Sequence, residues 1–178
     1  MDLDDLVAEL EIRRVLVQYC RGVDRGDVEL LKGVYHADAS DDHGSFKGLG
    51  WDFAEALVPA MDRSSLSSQH HVTNVWIERD GDRANVESYF YALHPVYERA
   101  KGREVHALAG GRYLDRFEKR DGAWKIADRR VVIDWTRRSL PGEDWALESV
   151  FELIGGRREA DPSYGFLSSE TPRTRERP

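Results

Sequence analysis

The feature that most restricts the fold is a series of four long strand-like segments in the second half of the chain. Apolar and polar residues alternate over residues 69–78, 83–97, 103–119 and 124–136. Short polar stretches typical of tight hairpin turns separate them, at residues 80–82, 101–102 and 120–122. We therefore predict an antiparallel meander. Its strands are longer than the usual length of about 5–6 residues, so they must bend and leave a concave face.

Three helices are predicted before the strands. The first begins at Asp4 and runs for roughly four turns. Its apolar positions recur at helical spacing, and they are Leu6, Leu10, Ile12, Val15, Leu16, Val17 and Tyr19. Gly22 is expected to weaken this helix, so that Asp24 begins a short connection. Asp27 is expected to cap a second helix over residues 28–35.

The segment that follows the second helix is rich in Asp, Ser and Gly. We predict a turn there, leading into a short strand over residues 43–47, and then a third helix over residues 51–60. Helices followed by a meander indicate an α+β fold. Three N-terminal helices would pack on a strongly curved, mostly antiparallel β-sheet and enclose a pocket, where small molecules commonly bind.

The chain has 178 residues, which is enough for one domain with a sizeable core. We predict a domain over residues 1–140 and a C-terminal extension over residues 141–178. The extension is expected to contain a short helix over residues 144–154 and to be mobile after Leu167.

Composition narrows the possible partners. The chain has 33 acidic and 26 basic residues, which disfavours binding to nucleic acid. Its single cysteine, Cys20, leaves no internal disulfide and favours a cytoplasmic location. No apolar stretch approaches the roughly 20 residues that span a bilayer, so no membrane association is expected.

Two adjacent histidines, His70 and His71, begin the first strand of the meander. A hairpin has no structural need for two imidazoles at this position. Strand alternation places them on opposite faces. We predict that His70 faces the pocket because Asn74 and Trp76 share its parity, and that His71 lies at the surface or at a subunit contact.

Several motifs in order along the chain resemble a known family. The stretches are YCRGVD at 19–24, YHADASDDHGSFKG at 35–48, QHHVTN at 69–74 followed by IERDGD, and FEKRDGAWKIADRRVVIDW at 117–135. Together they resemble a SnoaL-like domain of the nuclear-transport-factor-2-like superfamily, over residues 3–138. The resemblance implies a cone-shaped α+β barrel. It also implies similarity to dehydratases and dehydrochlorinases that need no cofactor and no metal.

The resemblance further implies a catalytic set. His70 matches a histidine that removes a proton from carbon, Asp24 matches the aspartate that orients it, and Tyr19 matches a tyrosine of a related dehydratase. The chemistry is reasonable in itself, because a carboxylate that accepts from one imidazole nitrogen exposes the lone pair of the other and stabilises the imidazolium that forms. Alternatively, Asp24 is simply a helix-terminal residue.

Four further residues are expected to contact substrate: His94, Arg129, Tyr113 and His43. His94 and Arg129 resemble pocket residues of related lyases, and Tyr113 falls near a position where one of them has asparagine. Alternatively, His94 is a strand-end histidine and Arg129 forms an ion pair. His43 lies where the first strand crosses the pocket mouth, and a metal site there with Asp41 and Asp42 is disfavoured because adjacent carboxylates diverge in an extended chain.

The leading functional hypothesis is a cofactor-independent lyase, with dehydration as the favoured reaction. Its substrate would be a small hydrophobic, cyclic or aromatic molecule. An isomerase of the ketosteroid type would use the same residues, and a non-catalytic binding module is the third hypothesis. The resemblance also implies a homo-oligomer, either a dimer or a trimer.

Overall fold

A computed structural model of the protein describes residues 2–64, 67–141 and 155–168. The helices are α1 (Leu3–Arg25), α2 (Val28–Gly33), α3 (Gly50–Ser64) and α4 (Pro162–Ser168). The strands are β1 (Tyr35–Asp42), β2 (Lys47–Leu49), β3 (Gln69–Asp80), β4 (Arg83–Glu98), β5 (Arg103–Arg120) and β6 (Ala123–Ser139). The helix predicted over residues 144–154 and the end of the chain from residue 169 lie outside the described residues.

The six strands form one curved sheet that does not close, in the order β2-β1-β6-β5-β4-β3. All neighbouring pairs are antiparallel except β1 and β6, which are parallel. The three N-terminal helices share one core with the sheet. The predicted cone-like α+β fold is confirmed.

The hairpin turns lie where the sequence predicted them. Gly81, Gly102 and the pair Asp121-Gly122 all have positive φ angles, which tight turns between strands require. Bulges at residues 73–75, 110–111 and 116–117 interrupt the pairing of the long strands. Because a bulge bends its strand and increases its twist, these sites contribute to the curvature of the sheet.

Helix α1 is longer than predicted. Asp2 and Asp5 form a capping box at its start, and the helix continues through Gly22 to a left-handed C-cap at Gly26. A Cβ at position 22 would lie 3.1 Å from the backbone of Leu31, so the glycine permits close contact with α2. The prediction that Asp24 lies in a connection was therefore wrong, because Asp24 is in the last turn of α1.

The buried face of α1 also differs from the prediction. Ile12, Leu16 and Tyr19 are buried, whereas Leu6 and Leu10 are exposed. Asp27 does cap α2, since its carboxylate accepts the backbone N–H of Leu30 at 2.9 Å.

The region after α2 was mispredicted. Tyr35–Asp42 is strand β1 rather than part of a turn, and the strand predicted over residues 43–47 is a tight turn leading into β2. Pairing of β1 with both β2 and β6 satisfies its backbone polar groups, which overrides the turn-like composition of this segment.

Residues 155–168 pack against the C-terminal end of α1. The carboxylate of Asp161 accepts hydrogen bonds from the Arg25 guanidinium at 3.0 Å and from the Gly156 N–H at 2.9 Å. These bonds fix this part of the predicted C-terminal extension on the helical side of the domain. No helix within the described residues has the length and apolar character needed to cross a bilayer.

Candidate active site

A cavity of about 220 Å³ lies between the concave face of the sheet and the helices. Its wall is largely apolar, and histidines and tyrosines supply most of its polar atoms. The lining residues are Tyr19, Val23, His43, Phe53, Leu57, Met61, His70, Phe90, Ala92, His94, Ala109, Tyr113, Val131 and Ile133. A larger groove of about 380 Å³ elsewhere on the sheet is lined mainly by charged strand residues, and its described lining includes no histidine.

His70 lines this cavity, and Asp24 contacts its imidazole from behind. The Asp24 carboxylate is 2.6 Å from His70 Nδ1 and also accepts the backbone N–H of His70 at 2.9 Å. The two side chains are 9% and 8% exposed, so both are shielded from bulk water. Since the carboxylate accepts, Nδ1 carries the proton and the lone pair of Nε2 is free to act as a base.

His71 lies on the other side of the strand, where it is exposed and its ring is 6.4 Å from that of Tyr91. The parity argument used to choose between the histidines was wrong, because Trp76 is 67% exposed and does not share the inward face with His70. Asn74 has a φ of 38° and occupies the bulge of β3, which switches the face. Val75 and Ile77 therefore pack toward the core.

His94 also lines the cavity. Its ring centroid is 5.0 Å from that of His70, in an edge-on arrangement. Burial, followed by the proximity of His70, lowers the pKa of His94 to about 4. His94 is therefore neutral near pH 7 and adds no positive charge beside His70.

Tyr19 reaches the cavity from α1 and is buried. Its hydroxyl is 3.0 Å from Nε2 of His43, whose Nδ1 in turn hydrogen-bonds the Asp41 carboxylate. Burial raises the pKa of Tyr19 above the ordinary tyrosine value, so its hydroxyl keeps its proton. The predicted residues Tyr19 and His43 are thus in direct contact with each other.

Arg129 lies behind the cavity wall and is fully buried. Its guanidinium forms a bidentate ion pair with Asp115, with both contacts at 2.7 Å. It lies 4.0 Å from the ring centroid of Tyr19 and 4.2 Å from that of Tyr113. Arg129 therefore supports the two tyrosines from behind, which is the ion-pair alternative left open by the sequence.

Tyr113 lines the cavity, and its ring is stacked on that of Phe90 with centroids 4.5 Å apart. Burial raises the pKa of its hydroxyl well above the usual value. Five of the seven predicted site residues line the cavity: Tyr19, His43, His70, His94 and Tyr113. The other two lie behind this lining, where Asp24 contacts His70 and Arg129 contacts the two tyrosine rings.

Sequence reasoning missed the roles of Asp41 and Asp115. Asp41 had been considered only as part of a disfavoured metal site. The available signal was the short spacing of Asp41 and His43, which lie two residues apart in the sequence. Within the described residues, no group of three or more potential ligands is arranged to hold a metal ion.

The fold and the cavity together define an α+β protein of the nuclear-transport-factor-2-like class. A sequence profile for the SnoaL-like domain matches residues 4–130, and the chain belongs to this family. Among curated proteins, no relative matches the chain.

Several solved structures are similar. A putative scytalone dehydratase from Novosphingobium aromaticivorans is 24% identical, with a TM-score of 0.67, covering 75% of this chain and 88% of its own. A type 2 hexachlorocyclohexane dehydrochlorinase, LinA, is 22% identical, with a TM-score of 0.71 and coverage of 82% and 97%. A Mycobacterium tuberculosis protein of unknown function is 26% identical, with a TM-score of 0.61 and coverage of 74% of each chain.

Proposed function

We propose that the protein is a cofactor-independent lyase that removes a proton from carbon in a small cyclic or aromatic molecule and expels water or another leaving group. The observation that carries this proposal is the contact of 2.6 Å between the buried Asp24 carboxylate and His70, whose imidazole lines a mostly apolar cavity. Such a pair is suited to proton abstraction near neutral pH.

His70 is the proposed general base. With Nδ1–H donated to Asp24, Nε2 accepts the substrate proton, and the carboxylate stabilises the resulting imidazolium. The neighbouring His94 favours this step because it is neutral near pH 7, so the new positive charge meets no second cation there. A neutral His94 also offers the substrate a hydrogen-bond donor or acceptor.

Tyr19 is the proposed donor to the leaving group or to a carbonyl oxygen. Its hydroxyl keeps its proton because burial raises its pKa. A donor in a mostly apolar cavity stabilises developing negative charge more strongly than the same donor in solvent. Tyr113 and His43 complete the polar part of the wall, and the buried Arg129 holds both tyrosine rings in place.

The cavity indicates the substrate class. Its volume of about 220 Å³ lies below the range of about 300–1,000 Å³ that is typical for drug-sized ligands. Phe53, Phe90 and Ile133 provide apolar surface for a ring. A single substituted ring with one carbonyl or hydroxyl group therefore fits best.

We also propose that the protein is a cytoplasmic homo-oligomer. Tyr91 and Trp135 are 40% and 45% exposed, and their ring centroids are 5.7 Å apart on adjoining parts of the sheet. Exposed aromatic pairs of this kind are common at subunit contacts. Light scattering coupled to size-exclusion chromatography would measure the mass, and a monomer at micromolar concentration would contradict the proposal.

The test of the reaction uses two ring ketones. Elimination from 3-hydroxycyclohexanone gives cyclohex-2-enone and water, whereas isomerisation of cyclohex-3-enone gives the same enone without loss of any group. Ultraviolet absorbance follows the enone in both assays, and mass spectrometry in D2O follows exchange at carbon. We expect enzymatic elimination that falls by about 10²-fold or more in His70→Ala and in Asp24→Asn.

The matched control is His71→Ala, which removes the neighbouring exposed imidazole and is expected to retain full activity. Full elimination activity in both His70→Ala and Asp24→Asn would reject the proposed base. Turnover of cyclohex-3-enone alone would assign an isomerase. Binding of either ketone without exchange at any carbon would favour a non-catalytic binding module.

A further inference from the structure

A second histidine–carboxylate pair faces the same cavity. Asp41 is the penultimate residue of β1 and His43 directly follows the strand, and His43 Nδ1 hydrogen-bonds the Asp41 carboxylate. On its other side, His43 Nε2 is 3.0 Å from the Tyr19 hydroxyl. The polar chain therefore runs from a buried carboxylate through an imidazole to a phenol at the cavity wall.

The carboxylate of Asp41 is fixed on both sides. It is 2% exposed, and its second oxygen accepts the Tyr35 hydroxyl at 2.7 Å. The ring of His43 is held by stacking on Phe53, with centroids 4.0 Å apart and planes 16° apart. The pair thus has a fixed orientation toward Tyr19, in the same way that Asp24 orients His70.

The surroundings of Tyr19 include a positive charge and a partly exposed imidazole. The Arg129 guanidinium lies 4.0 Å from the centroid of its ring, and this positive charge lowers the pKa of the phenol against the larger effect of burial, which raises it. The side chain of His43 is 19% exposed, so its ring can exchange protons with water while Tyr19 stays buried.

We propose that Asp41 and His43 deliver a proton through Tyr19 to the departing group, as the acid that complements the base His70. This inference rests on the proposed lyase function. Asp41 is a positioning residue, because it acts through His43. Tyr19 alone touches the leaving group.

The proton balance is complete within the protein and water. The substrate C–H bond breaks, its proton goes to His70 Nε2, and its electrons form the C=C bond. The C–O bond breaks, and the leaving oxygen takes the hydroxyl proton of Tyr19 and departs as water. Tyr19 is reprotonated from Nε2–H of His43, which retains Nδ1–H toward Asp41. Exchange with solvent then removes the proton from His70 and restores that of His43.

This scheme requires a particular starting arrangement at His43. Both ring nitrogens carry protons, with Nδ1–H donated to the carboxylate and Nε2–H donated to the phenol oxygen. The Tyr19 hydroxyl is then free to donate into the cavity. If Nε2 were unprotonated, it would accept the Tyr19 proton and no donor would face the substrate.

Substrates whose leaving groups differ in basicity distinguish the acid role of Tyr19 and His43 from the base role of His70. Hydroxide needs a proton to depart, whereas chloride does not, and 3-hydroxycyclohexanone and 3-chlorocyclohexanone give the same enone after loss of the same proton. We expect Tyr19→Phe and His43→Gln to lower the ratio of the hydroxyl rate to the chloride rate by about 10²-fold. His70→Ala should lower both rates and leave the ratio nearly constant, and His71→Gln is the matched histidine control.

A ratio that is unchanged in His43→Gln would overturn the acid role and leave the proposed base intact. Failure of the wild-type protein to eliminate from either ketone would instead count against the proposed function.

The decisive measurement needs no substrate. Nitrogen-15 NMR of histidine-labelled protein at neutral pH, assigned with His43→Gln, reports the protonation of each ring nitrogen. We expect both nitrogens of His43 to be protonated in the wild type, and only one in Asp41→Asn, which keeps the shape but removes the charge. An unprotonated Nε2 of His43 in the wild type would overturn the proposal whether or not the ketones react.

Discussion

His94 should make the folded protein sensitive to acid. Its pKa is about 4 in the folded protein, because burial and the neighbouring His70 disfavour its charge, whereas an unfolded histidine has a pKa near 6.5. As the pH falls below 6.5, His94 becomes protonated in the unfolded chain but stays neutral in the folded protein. The associated loss of folding free energy grows until the pH reaches about 4 and then levels off.

The size of the effect follows from the two pKa values. Their difference corresponds to about 3 kcal/mol of folding free energy between pH 7 and pH 4. Urea unfolding followed by circular dichroism, at intervals over this range, measures the total loss for the wild type. The variant His94→Gln keeps a neutral polar side chain, and it should lose about 3 kcal/mol less than the wild type over the same range.

The comparison between variants removes the contribution of carboxyl groups, which titrate in both proteins. His71→Gln is the control, because His71 is exposed and its replacement should leave the acid sensitivity of the wild type unchanged. If His94→Gln followed the wild-type curve to within about 1 kcal/mol, then His94 would not be the buried neutral histidine that the proposed base requires as a neighbour.

Three further predictions test the support of the site. Arg129→Met should cost about 3–5 kcal/mol in urea unfolding because it leaves the buried carboxylate of Asp115 unpaired, and adding Asp115→Leu should recover part of this loss. Gly111→Ala should lower the free energy of unfolding by about 1–3 kcal/mol, because a Cβ there would lie 2.0 Å from a backbone oxygen of β6. Gly110→Ala is the matched control and should cost less, because its Cβ would meet the half-exposed indole of Trp135, which can move. Asp161→Ala should increase limited proteolysis within residues 155–168, and unchanged cleavage would show that its hydrogen bonds to this segment do not hold it in place.

The meander could be predicted closely from the sequence because its signals are local. Alternation and turn residues gave all four long strands to within three residues at each end, and glycines with positive φ occupy the three turns. The bulges were not predicted. The bulge at Asn74 reverses which side chains of β3 face inward, so the choice of His70 over His71 was made for a reason that the structure contradicts.

The errors in the first third of the chain have a common physical origin. Gly22 has a low helix propensity, yet α1 continues through it and packs closely on α2, where a Cβ at position 22 would lie 3.1 Å from Leu31. The composition of Tyr35–Asp42 favours a turn, yet pairing with β2 and β6 makes it a strand. In both cases tertiary contacts outweigh local propensity, and a single sequence does not reveal those contacts.

The difference between local signals and tertiary contacts also explains which residues of the candidate site could be predicted from the sequence. Asp24 and His70 are 46 residues apart, and the resemblance to a family supplied their proximity. The contact between Asp41 and His43 is local, because Asp41 lies near the end of β1 and His43 directly follows the strand. Predicting a turn before residue 43 hid the end of β1, where this carboxylate and this imidazole meet. The error in local structure thus concealed the residues from which the acid of the proposed reaction is now inferred.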